Sequence, residues 1–346
     1  MTGRERELAA IAHQETDRIP LDVICIEIPQ QIAVYLGIEQ DVVNDRLGID
    51  GRIVNAGAYT GSIADVPDSV DKRCLTPFAT LITGDYGTAH WYPLADASSI
   101  ADIERFTWPD PCAYDFTGSA KGASDIADRY ALRGPYWLPL FCQVCDLFGM
   151  EEAMAKMALE PAMFEAAVER IHEHNMEYCR CLIEAFGDSM PILCLGDDFA
   201  TQRGLMISPE LWRRFLKPRY AEIFALAKAS GKRMWFHSCG DITSVLPDLI
   251  DIGIDVWETV QLHALPMTPQ QLKQEFGKDL TFFGAVNTQR LPFASPDEVR
   301  EEVLRCIDVL GKGGGYICGP DHHIKPDVPP INAITLFDTA LAYKRG

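Results

Sequence analysis

No run of apolar residues in this chain approaches the roughly 20 needed to cross a bilayer, which excludes a membrane-spanning helix as an expectation. Nothing apolar follows the charged opening Met1-Thr-Gly-Arg-Glu-Arg-Glu7, so no secretory signal is expected there. A Gly-x-Ser-x-Gly elbow is missing, and with it the usual sign of a serine hydrolase. There is no Gly-rich phosphate loop, because Gly313-Gly-Gly315 precedes a strand-like run rather than a helix. Basic residues are scarce: 31 Lys and Arg stand against 50 Asp and Glu, a net charge of -19 that argues against nucleic acid or an anionic membrane as partner. Repeats, low-complexity tracts and Ser/Gly linkers are absent as well, so residues 1–346 are expected to form a single domain.

What is present is an ordinary globular composition, 47% hydrophobic and 23% charged. Eleven cysteines are scattered, several inside apolar segments (Cys25, Cys194, Cys306), which suits reduced thiols in the cytoplasm better than a disulfide framework. Cys142 and Cys145 form one Cys-x-x-Cys without a second, read as incidental packing. Apolar runs of strand length recur at Pro20–Glu27, Leu132–Phe141, Met190–Gly196, Arg233–Ser238, Ile254–Val260, Leu280–Val286 and Gly315–Cys318. Helix-length amphipathic stretches separate them, at Met150–Leu159, Pro161–Phe186, Pro209–Ser230 and Ser295–Leu310. Ser208-Pro-Glu210 and Ser295-Pro-Asp297 each supply an N-cap, a first-turn proline and an acid.

Strands apolar throughout and alternating with helices imply a parallel sheet covered on both faces. We expect an α/β fold, a (β/α)₈ TIM barrel with long N-terminal loops or a small antiparallel excursion. Roughly 50–110, with Asp85-Tyr-Gly87 and His90-Trp-Tyr-Pro93, is expected to form that excursion and to lie as a lid over the barrel mouth.

Reactive residues gather at the ends of these runs, where a parallel barrel places its active site. His237 and Cys239 close one run in a His-x-Cys-Gly turn, and Cys318 closes another before Gly-Pro. One imidazole and two thiolates make a soft tetrahedral donor set suited to Zn²⁺ with a fourth position open for catalysis. Such an ion carries formal charge near zero, which favours thiol alkylation or methyl transfer over hydrolysis. Glu258 is expected either to hold the fourth position or to bind substrate or orient His237. Asp197 and Asp198 offer an acid/base or orienting group, or equally a loop acid capping the next helix. Asn287 is the candidate for contacting a cofactor. His322 could donate a hydrogen bond to substrate, or form with His323 a solvated loop pair.

The segments Met234-Trp-Phe-His-Ser-Cys-Gly-Asp241, Asp248–Asp255 and Gly314–Asn332 resemble the uroporphyrinogen decarboxylase superfamily from about Met190 onward, more faintly in Thr16–Pro20 and Leu47–Asp50. The resemblance implies a (β/α)₈ barrel and either of two activities. Metal-free decarboxylases of tetrapyrroles form one branch. Cobalamin-dependent methyltransferases, which bind zinc through a His-x-Cys pair and a distant Cys, form the other. The methyltransferase ligands carry over onto His237, Cys239 and Cys318. The decarboxylase branch's N-terminal arginines do not, since Leu21–Gln31 holds Asp22 and Glu27 and no arginine, although His322 matches a decarboxylase histidine in place. The resemblance therefore implies a zinc enzyme moving a methyl group between a small donor or thiol and a corrinoid (cobalamin) carried by a partner protein. Dimers are common among relatives, so a homodimer is an expectation by family analogy alone. Tyr59, Tyr86, Trp91, Tyr92 and Trp137 would suit an aromatic methyl ether, and would equally suit core packing. A binding protein that has kept the barrel without turnover is the non-enzymatic alternative.

Overall fold

The computed structural model of the chain describes residues 1–54, 57–72, 75–83 and 88–344. Seven parallel strands form one curled sheet in chain order: β1 (Gly51–Ile53), β2 (Ala131–Pro135), β3 (Ile192–Gly196), β4 (Arg233–His237), β5 (Val256–Val260), β6 (Thr281–Val286) and β7 (Tyr316–Pro320). The two edges of the sheet meet at the segment 20–22. Asp22 N–H donates to Cys318 O at 3.1 Å, Cys318 N–H to Pro20 O at 2.9 Å, and Asp50 N–H to Leu21 O at 2.7 Å. That segment fills the eighth position with single bridges instead of a full strand, and the fold is TIM-barrel-like. The apolar run Pro20–Glu27 thus contributes less regular pairing than its composition suggests, while β1, inside a stretch expected to be loop, joins the ring.

Alternation along each strand divides the core in two. Ala131, Ile192, Cys194, Trp235, Val256, Phe283 and Ile317 fill the barrel lumen, and their neighbours face the surrounding helices. The helices Met150–Leu159, Pro161–Phe186 and Pro296–Leu310 stand where expected, the last opening with a Ser295/Glu298 capping box. Pro209–Ser230 splits into Pro209–Phe215 and Lys217–Ala229, because Pro218 has no N–H to continue the first helix. The Arg219 guanidinium donates to Phe215 O at 3.4 Å across the break.

The 50–110 region contains an antiparallel pair, Leu81–Thr83 with Thr88–Trp91, and a short helix Ile100–Arg105. Asp85-Tyr86-Gly87 lies outside the described residues. One feature departs from the expectation of reduced thiols throughout: Cys112 and Cys181 form a disulfide between partly exposed residues, tying this region to the helix Pro161–Phe186. Spacing could not reveal it, since 69 residues separate the two in sequence. No described helix is long and apolar enough to cross a membrane.

Candidate metal centre

His237 is the last residue of β4, on the same side of the strand as the lumen residue Trp235, and it rises to the barrel mouth. Cys239 follows two residues later, with Sγ 3.6 Å from His237 Nε2. Two ligands held by zinc at about 2.3 Å (S) and about 2.05 Å (N) across a tetrahedral angle stand about 3.6 Å apart. The pair therefore fits one ion without rearrangement. A third donor joins them: His237, Cys239 and His322 each present a ligand atom, all within 4.8 Å of one another.

Cys318 does not join this group. Its neighbour Ile317 occupies the lumen, so alternation turns Cys318 outward, into the layer between β7 and the helix Pro296–Leu310. There it is fully buried beside Cys306 and Tyr316, and burial pushes its thiol up to about 12. Cys318 thus stands at the expected end of its strand, on the face turned away from His237 and Cys239.

Behind His237, Glu258 rises from β5 and is fully buried. Its Oε1 stands 2.8 Å from His237 Nδ1, and its Oε2 accepts from Trp235 Nε1–H. Burial alone would raise the Glu258 carboxyl, but the bond from His237, the Arg133 charge and the Trp235 bond outweigh it and lower it. An ionised carboxylate accepts only, so it fixes the imidazole with Nδ1–H toward Glu258 and Nε2 toward Cys239. Of the roles expected for Glu258, orienting His237 is the one this geometry provides. Burial opposes a charge on His237 as well, yet Cys239, Glu258 and Asp198 raise its pKa well above the ordinary value. His322 goes the other way: burial, then the charges of His237, His323 and Lys325, lower it to about 3 and leave its nitrogen free to bind a cation.

Beneath this pair lies Arg133, completely buried, ion-paired with Asp22 and stacked 4.6 Å over the Trp235 ring. Tyr136 Oη stands 3.1 Å from His237 Nδ1, and the Trp137 ring centroid 5.9 Å from that of His237. Gly196 makes room for the indole, since a Cβ there would meet Trp137 Cε3 at 2.6 Å. The sequence gives no local sign of Tyr136, because its role depends on a turn that folds back over the mouth. Of the other aromatics, Tyr59 packs on Tyr114 at 5.0 Å between centroids, Tyr92 lies against Gly149, and Tyr86 is outside the described residues.

The two aspartates separate. Asp197 is fully buried and accepts from the N–H groups of Leu140, Phe141 and Cys142 at 2.7–3.0 Å, and from the Tyr220 hydroxyl. It caps the helix Phe141–Phe148, a preceding helix and not the next one. Asp198 lies at the mouth, where Oδ1 accepts from Cys239 N–H at 2.7 Å and stands 3.7 Å from His237 Nε2. Asn287 Oδ1 accepts from Gln289 N–H at 2.9 Å, which closes its own turn. Cys142 and Cys145 sit in that capped helix, with both thiols raised, chiefly by burial.

Cys239, Asp198 and His322 open onto a cavity of about 440 Å³. Gln261, Thr288, Gln289 and Lys325 give it a polar wall, and Phe293 stands exposed on its rim.

The model of the uroporphyrinogen decarboxylase (URO-D) family matches residues 139–343. Among solved structures, the chain is similar to a methyltransferase from Methanosarcina mazei, with a TM-score of 0.66 and 18% sequence identity over 98% of each chain. At that identity the likeness shows the fold. No curated protein sequence matches the chain.

Proposed function

Because the chain belongs to the uroporphyrinogen decarboxylase family, we propose that it is a zinc-dependent methyltransferase working with a corrinoid held by a partner protein. The observation that carries this reading is the His237–Cys239 pair, set 3.6 Å apart at the mouth of the cavity with Glu258 behind it. The M. mazei methyltransferase of the same fold supports the direction of the reading.

In the reaction, a methyl group passes between a small donor, or a thiol acceptor, and the corrinoid cobalt. In the donor direction the bond from methyl carbon to heteroatom breaks, and its electron pair stays on the heteroatom. A corrinoid presented by the partner would supply the electron pair that takes up the methyl group. A zinc ion at this site supplies Lewis acidity toward that heteroatom. The chain's own residues hold the geometry. Glu258 fixes the His237 tautomer, Asp198 anchors the Cys239 backbone, Gln261 Oε1 accepts from Gly240 N–H at 2.8 Å, and Tyr136 and Trp137 wall the imidazole from water.

The metal-free decarboxylase that the family's name describes requires cations to hold a poly-carboxylate. Among the described residues lining the cavity, Lys325 is the one Lys or Arg, which weighs against that activity.

Elemental analysis of the purified protein is expected to give about one zinc per chain, and Cys239→Ala to lose most of it. Mixing the wild type with cob(I)alamin and a panel of methyl donors is expected to produce the methylcobalamin spectrum. Zinc below about half an equivalent in the wild type counts against the reading. Chelator-insensitive release of carbon dioxide from uroporphyrinogen would establish the decarboxylase in its place.

A further inference from the structure

We infer that the metal is held by two imidazoles and one thiolate, His237, His322 and Cys239, with Cys318 excluded from the site. This inference rests on the metal named in the proposed function and deepens it by fixing the donor set. His322 reaches the mouth because β7 ends at Pro320 and the chain turns back over the barrel at 321–323. Its ring centroid lies 6.2 Å from that of His237 and 4.7 Å from that of His323. His323 Nδ1 in turn lies 3.0 Å from Glu27 Oε1, on the segment that follows the seam at 20–22. The rings of His237 and His323 thus pack on either side of His322 at the mouth. On the other side of β7, Cys318 packs with Cys306 and Tyr316, and reaching the ion would require the strand to turn over.

The exchange alters the charge at the centre. Zinc with one imidazole and two thiolates sums to zero, whereas two imidazoles and one thiolate leave +1. A more positive centre draws more strongly on whatever occupies the fourth position, which favours polarising a neutral oxygen over holding a thiolate.

Metal binding tests this without recourse to turnover. Zinc affinity is measured by competition with a chromophoric chelator for the wild type, His322→Ala, His322→Gln and Cys318→Ala, each confirmed folded by circular dichroism. The Co(II)-substituted proteins are compared by their thiolate-to-cobalt charge-transfer absorption. Both His322 variants are expected to weaken zinc binding by about 100-fold or more, beyond the 10–100-fold typical of losing an outer partner. Cys318→Ala is expected to bind as the wild type does, with a one-thiolate spectrum that only Cys239→Ala abolishes. Loss of zinc in Cys318→Ala, or a wild-type charge-transfer band halved by that substitution, overturns the donor set while leaving the methyltransferase reading standing. A wild type that takes up no metal overturns both.

Discussion

Two adjacent aspartates with the same sequence environment do unrelated work. Asp197 points inward to cap a helix, and Asp198 points to the mouth and anchors Cys239. Alternating direction along the strand end separates them, and sequence alone leaves their roles open. Asp197→Ala would strand three backbone N–H groups and the Tyr220 hydroxyl in a site with no access to water. The expected loss is about 4 kcal/mol, read as a lowered urea midpoint. A variant as stable as the wild type would refute the capping role. His237 and Glu258 were legible in sequence for a simple reason: both sit at the ends of strands whose order along the chain is their order around the ring, and both face the lumen. Cys318 was not, because Tyr316-Ile-Cys is apolar on both faces and carries no polar alternation to say which residue points inward. His322 was visible as a residue of the site, but its place beside Cys239 depends on a turn that no local pattern encodes.

Among the elements, the strands and long helices follow from their apolar runs and caps, since β3 to β7 lie within or slightly beyond the expected segments. The ring's first stations are another matter. The segment 20–22 is anchored by a few backbone bonds, and β1 is three residues long, too short to stand out from its loops. Here the approach of two backbones replaces regular pairing. Gly319 is where they come closest, and a Cβ there would meet Asp22 O at 2.2 Å. Gly319→Ala should push 20–22 off β7 and cost about 2–3 kcal/mol, with faster amide hydrogen exchange at Asp22 and Cys318 than at the interior strands β4 and β5. Uniform exchange across the ring would contradict that account.

For the molecule as a whole, the Cys112–Cys181 bond is the one disulfide among the described residues, and it cross-links the segment that follows the N-terminal excursion to the helical layer. Closing a loop of 69 residues restricts the unfolded chain by about 4 kcal/mol in the loop-entropy treatment. Reduction, or the double substitution Cys112→Ser/Cys181→Ser, should therefore lower the melting temperature by several degrees. The barrel's metal content should not change, because the disulfide contributes no ligand to His237, Cys239 and His322. An unchanged melting temperature would show that the bond does not form in solution.

The buried Arg133 has a consequence that reaches past its own ion pair. Its positive charge is fixed in the lumen under Glu258 and, after the bond and charge of His237, is the next influence that holds that carboxyl below its ordinary range against burial. The carboxylate in turn keeps the His237 ring turned so that Nε2 faces the mouth. The orientation of the imidazole is thus set from beneath, by buried charges that never reach the mouth themselves.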